Sequence, residues 1–109
     1  MTRRWRKRIA IVGIGESEIG VVPGLDSFEL CRQATVRAID DCGIAKGEID
    51  GVLTTGSFAV LHPMHSVLFS EYLGIRPRYT SLMQIGGATH ILNLMTAANA
   101  IDSEMCDVA

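Results

Sequence analysis

The sequence predicts an α/β fold of parallel βαβ units, and three observations carry that prediction. Short apolar runs of β type alternate with longer stretches of helical periodicity. Glycine and proline mark most junctions between them. A helix beginning after Gly86-Gly87 has no Asp, Glu, Lys or Arg from Ala88 to Ile101. In a layered fold such a helix is buried on more than one face. The 109 residues suffice for one domain, and 48% hydrophobic with 6% aromatic content makes its core aliphatic and small.

Residues 8–14, "RIAIVGI", are an apolar run ending in glycine, the pattern of a buried parallel strand. A loop follows over 15–25, carrying Gly15, Gly20, Pro23 and Gly24. "DSFELCRQATVRAIDDCG" is the clearest helix. Asp26 caps it, Glu29 stands three residues on as in a capping box, and Gly43 takes the left-handed position past its end. Phe28, Cys31, Ala34, Thr35, Ala38, Ile39 and Cys42 share its apolar face.

Val52 to Thr55 in "IDGVLTTG" is the second strand, and a loop over 56–62 leads to the helix "PMHSVLFSEYLG". Pro63 suits its first turn and Gly74 its end. "RYTSLM" (78–83) is the third strand, and "CDVA" at 106–109 begins a fourth. A chain that ends on the start of a strand reads as an N-terminal fragment. The expected layout is a basic tail over 1–7 and an incomplete N-terminal domain over 8–109.

Half of the ten basic residues lie in the first eight positions; from Ile9 onward five basic residues face twelve acidic ones, a net charge of −7. That balance argues against nucleic-acid binding, which needs a basic face on the folded part. "IAIVGIG" is short for a signal peptide, is followed by Glu16 and Glu18, and lacks a small-residue cleavage site. No run approaches the ~20 apolar residues of a membrane span. Cys31, Cys42 and Cys106 lack metal-ligand spacing and suit a reducing compartment. The expectation is a soluble, cytoplasmic protein.

"GIGESE" invites a dinucleotide reading, but Glu18 stands where the third glycine belongs, and Pro23 and Gly24 intervene before any helix. Acid beside a pyrophosphate would also repel it. The glycines better serve a turn at a strand end. His62 and His65 bracket Pro63-Met64, yet no third ligand has spacing to complete a metal site, so no metal is expected. A loop lining a cleft or a subunit contact fits them better. At Gly86-Gly87 two readings stand. Absent side chains let a ligand approach free N–H groups suited to a developing negative charge, or they serve tight backbone packing alone.

The order "IAIVGIGESEIG", "AIDDCGI", "EIDGVLTTG", "EYLGIRPRYTSL" and "GGATHILNLMTAANAI" resembles the thiolase superfamily, in its sterol-carrier-protein-type branch. The resemblance runs from Arg8 to Ala109. It implies the N-terminal part of one half of an α-β-α-β-α layered fold, with the chargeless helix in its central layer. The family's acyl-accepting cysteine opens that helix, and here Gly87 stands in its place, with His90 where the motif's glycine follows.

A glycine offers only its backbone amide as an oxyanion donor. The resemblance then implies a thiolase-like acyl-CoA enzyme, acetyl-CoA acetyltransferase-like, that lacks the nucleophile and makes or breaks a C–C bond without a covalent acyl intermediate. Gly86, Ala88, Thr89, His90 and His62 are its candidate substrate-binding residues. It implies acyl-CoA as substrate with no further cofactor, a homodimer with Ser81 to Ile85 at or near the contact, and a small OB-fold, zinc-ribbon partner. The family's catalytic histidine and second cysteine lie in the C-terminal half. A non-catalytic acyl-CoA-binding or scaffold subunit is the alternative, and an unrelated α/β binding module the third reading.

Overall fold

Two parallel strands form the sheet of the computed structural model, which describes residues 8–109. The tail expected over 1–7 lies outside the described residues. Strand β1 (Gly51–Thr54) pairs with β2 (Tyr79–Leu82) in the register Gly51↔Tyr79 to Thr54↔Leu82. Helices α1 (Ser27–Cys42), α2 (His65–Leu73) and α3 (Thr89–Asp102) alternate with them, and a 3-10 turn spans Lys46–Glu48. The α/β class and the order of these elements are as the sequence predicts.

Local chemistry explains the helix limits. Asp26 accepts a hydrogen bond from Glu29 N–H at 2.8 Å, and Gly43 closes α1 in the left-handed region with its N–H on Ile39 O. The expected capping box forms only by half. The Glu29 carboxylate turns instead to Arg32 and, at 2.6 Å, to Tyr72 Oη on α2. That arrangement joins two helices and holds Glu29 at a pKa of about 2, through the Arg32 and Tyr72 hydrogen bonds. Helix α2 begins at His65, later than expected, and ends on Gly74.

The core is small. Phe28 of α1, Val52 of β1, Phe69 and Leu73 of α2 and Ile75 are buried together, with Ile49 and Val60 packed against them. Phe28 alone of the expected α1 face is buried, and Cys31 is exposed. The middle of that face meets backbone instead: a Cβ at Gly13 or Gly15 would collide with the carbonyls of Ala38 or Ala34. The glycines of "GIGESE" therefore serve close approach to a helix.

The chain departs from expectation at both ends. Residues 8–14 form no strand. They lie along α1, with Ile14 N–H on Asp41 and Ile11 and Ile14 about 70% exposed. An apolar cavity of about 360 Å³, lined by Ala10 to Gly13 on one side and Gly51 to Leu53 on the other, separates this run from β1. Ladder hydrogen bonds cannot cross such a gap. Residues 106–109 are likewise not a strand, although Val108 O accepts from Asp50 N–H and Gly51 N–H at 2.9 and 3.0 Å.

Helix α3 packs on one side only. Thr89, Ala98 and Ala100 are buried, while Ile91, Leu94 and Met95 are 63%, 50% and 45% exposed. Of Ile91, Leu92, Met95, Ala98 and Ile101, the residues a central layer would bury, Ala98 alone is buried in this chain, and Leu92 and Ile101 are half-buried. The reason is geometric: β1 lies against one flank, and no described element covers the other.

Candidate functional site

Parallel strands send their following loops off the same edge of a sheet, and ligands of α/β proteins gather there. Thr54 and Leu82 end β1 and β2 side by side, so residues 55–64 and 83–88 share that edge. Met83 N–H donates to Thr54 O at 3.2 Å, continuing the pairing one step beyond the sheet. Farther on, a Cβ at Gly56 would meet the Gln84 side-chain amide, so the two loops touch.

The turn before α3 is set by Gly86 and Thr89. Gly86 has φ +88°, a conformation side chains rarely adopt. Thr89 is 1% exposed; its hydroxyl donates to Gly86 O at 2.6 Å and accepts from Ile85 N–H at 3.0 Å. A hydroxyl committed in both directions is a turn lock. The buried Thr89 side chain thus positions the turn.

Gly87 differs from its neighbour. Its φ is ordinary for any residue, and no protein atom lies within 4 Å of a Cβ built on it. Tight backbone packing therefore does not explain Gly87 among the described residues. Ala88 caps α3 without a side-chain hydrogen bond, and the N–H groups of Gly87 and Ala88 make no hydrogen bond among the described residues. Both residues are exposed at a helix N-terminus, where N–H groups without a partner carry partial positive charge. His90 is exposed in the first turn of α3.

The two histidines of the preceding loop separate in role. His62 is exposed, and its Nδ1 accepts from Met64 N–H at 3.0 Å. No described hydrogen bond ties it to 86–90. His65 is 2% exposed, stacked on Phe28 at 5.0 Å between centroids, with Nδ1 3.0 Å from Thr54 Oγ1. Burial, with a lesser contribution from His62, holds its pKa below the usual histidine value. Sequence reasoning missed His65 as a structural element. The available signal was its i, i+4, i+8 spacing with Phe69 and Leu73 on one helix face.

No cysteine approaches Gly87. Cys106 lies past the far end of α3, about 20 Å away along the helix rise. It is fully buried, and burial with Asp50 and Asp107 nearby pushes its thiol pKa up. Among the described residues no group of His, Cys, Asp and Glu could hold a metal ion, and no helix is long and apolar enough to cross a membrane.

No protein-family profile and no curated protein sequence matches the chain. Solved structures do. The Ltp2-ChsH2(DUF35) aldolase is 26% identical, with TM-score 0.72, over 89% of this chain and 25% of its own. OleA of Xanthomonas campestris with bound lauric acid and lauroyl-CoA is 21% identical, with TM-score 0.68, over 78% of this chain and 26% of its own. Cerulenin-bound OleA of the same organism is 21% identical, with TM-score 0.67, over 77% of this chain and 26% of its own. The chain thus spans about a quarter of the length of the proteins it matches. Its fold is thiolase-like.

Proposed function

We propose that this chain is the N-terminal part of a thiolase-like enzyme of the sterol-carrier-protein-type branch that acts on an acyl-CoA without a nucleophilic cysteine. The observation that carries the reading is Gly87, where a side chain fits without strain or collision and none is present. The amides of Gly87 and Ala88 would stabilise the oxyanion that develops at the thioester carbonyl. Gly86 and Thr89 set that geometry, and His90 and His62 flank the approach as substrate contacts.

With no thiol to acylate, the reaction best suited is non-covalent C–C bond cleavage or formation of the retro-aldol type. In cleavage of a β-hydroxyacyl-CoA, loss of the hydroxyl proton and scission of the α–β bond give a carbonyl compound and a CoA enolate. The enolate oxygen is the charge the amides would hold, and protonation at carbon completes the acyl-CoA product. The likeness to a structure described as an aldolase with a DUF35 partner supports this reading and a partner protein, proposed here to be of the small OB-fold, zinc-ribbon type. The likeness to OleA with bound lauroyl-CoA supports an acyl-CoA substrate.

The exposed apolar flank of α3 and the exposed Leu82 and Ile85 support a homodimer with Ser81 to Ile85 at or near the contact. Sedimentation of the full-length protein as a monomer would contradict that assignment. For the chemistry, full-length protein is incubated with β-hydroxyacyl-CoA substrates, with and without its partner. Release of a carbonyl product supports the enzyme. Tight acyl-CoA binding without turnover would favour the scaffold or acyl-CoA-binding subunit.

A further inference from the structure

His65 belongs to no part of the chemistry proposed above, yet it is among the most buried polar side chains described. It lies where three elements meet. Phe28 of α1 stacks on its ring at 5.0 Å with planes 15° apart, and Phe69 of α2 stands at 6.4 Å and 27°. Its polar contact is Thr54 Oγ1, on the last residue of β1. Thr54 in turn holds Met83 through its carbonyl, and Gly56 abuts Gln84. Two residues later Ile85 and Gly86 are bound by Thr89. A short run of contacts therefore leads from the His65 ring to the turn that opens α3.

We propose that His65 is a positioning residue that makes the Gly86-Gly87 turn responsive to pH, by holding Thr54 when neutral and releasing it when protonated. The physical reason lies in its surroundings. Phe28 and Phe69 offer an imidazolium no hydrogen-bond acceptor, and Thr54 offers one hydroxyl. A charge there must leave toward water. Of the titratable groups around it, His62 in the preceding loop repels a second positive charge. Beyond Phe28, Tyr72 of α2 and Glu29 with Arg32 of α1 are bound to one another, and the remaining carboxylates of those helices, Asp40 and Asp41 of α1 and Glu71 of α2, are exposed and exert no resolved effect on His65. The direction of the His65 pKa, below the usual value, agrees with this geometry.

Spatial succession alone does not establish coupling, so the test reads the turn and the histidine separately. Full-length protein labelled with ¹⁵N-glycine is titrated from about pH 7.5 to pH 5, the range spanning the ordinary histidine pKa. A His90→Gln background removes the imidazole beside the turn. The Gly86 and Gly87 amide signals are expected to move together with an apparent pKa below 6.5, the ordinary histidine value. His65→Gln, which keeps a polar partner for Thr54, is expected to abolish that movement. His62→Gln is expected to raise the apparent pKa while keeping the movement, and it tests the proposal even where His65→Gln does not fold. Glycine signals that stay fixed over this range, or that move equally in His65→Gln, would overturn the proposal. So would a His62→Gln protein in which the movement disappears.

Discussion

The two edges of the small sheet are built on opposite principles. At the edge where β1 and β2 begin, Asp50 gathers the chain. Its carboxylate accepts from Asp107 N–H at 2.9 Å and Val108 N–H at 2.8 Å, and Arg78 stands 3.5 Å away. Its backbone carbonyl takes Arg78 N–H and Tyr79 N–H, and Arg78 reaches on to Glu104 O at 3.0 Å. Cys106 fills the space over Gly51 with no exposed surface. At the opposite edge the backbone N–H groups of Gly87 and Ala88 make no hydrogen bond among the described residues, while the buried His65 holds Thr54 and the buried Thr89 holds the turn. One edge spends its polar groups on the chain itself; the other keeps them for something else. Ligands of α/β sheets gather outside the carboxyl ends of the strands, so the open edge is the one the proposed function occupies.

Removing the tie is expected to have the largest effect. Asp50→Ala leaves the Asp107 and Val108 N–H groups without their acceptor and takes from Arg78 one of its carboxylate partners, at a cost of about 3 kcal/mol for bonds to a charged group. Denaturant unfolding of the full-length protein measures it. A loss under about 1 kcal/mol would show that the structural edge is redundant, and the contrast between the edges would fail.

The paired glycines sharpen the comparison from the other side. Gly86→Ala forces a β-carbon into the left-handed region and is expected to cost about 1–2 kcal/mol. Gly87→Ala meets open space at an ordinary φ and is expected to change stability by no more than about 0.5 kcal/mol. Equal costs at both positions would mean that Gly87 too is kept for the fold.

Acid should loosen the edges in sequence. His65 has a pKa depressed from 6.5, so its contribution is present above 6.5 and is lost as pH falls through the folded value. Asp50 behaves differently in acid. Burial alone would raise its pKa, but the Val108 and Asp107 N–H donors and Arg78 outweigh it and leave the value below 3.8. The Asp50 contribution is therefore full above 3.8 and fails only at lower pH. Glu29, at about 2 against 4.5, holds the α1–α2 joint across the same interval. Hydrogen exchange, corrected for its intrinsic pH dependence, is expected to rise at Met83 and Ile85 in mild acid while Asp107 and Val108 stay protected. Simultaneous loss of protection at both edges would contradict this order.

What the sequence makes legible follows from how local each cause is. Asp26, Gly43 and Gly74 act within a turn of where they stand, so α1 and α2 can be read directly. The β1 and β2 runs and the glycine-opened α3 are equally local patterns. The unpaired 8–14 run could not be foreseen, because a strand needs a neighbour and its apolar pattern says nothing about where that neighbour lies. The Asp50 tie spans 57 and 58 residues and has no local mark. At the site, Gly86 and Gly87 look identical in sequence, and only backbone φ and open space separate them. The roles of Thr89 and His65 are hidden for a related reason: what a polar side chain faces depends on partners that its own local sequence does not mark.

The central claim is that the open edge holds an oxyanion site without a nucleophile. It is tested most directly by intact-protein mass spectrometry of the full-length protein, wild type and Gly87→Cys, after incubation with acetyl-CoA. Cys106 is buried with a raised thiol pKa, and Cys31 and Cys42 lie on α1, so no wild-type thiol stands at the turn. The account predicts no acetyl adduct on Cys31, Cys42 or Cys106 in the wild type. It predicts an adduct at position 87 in the variant, where a helix N-terminus favours a thiolate, if the downstream histidine is in place. An acetyl group on any of the three native cysteines, formed at a rate matching turnover, would contradict it and return the protein to covalent thiolase chemistry.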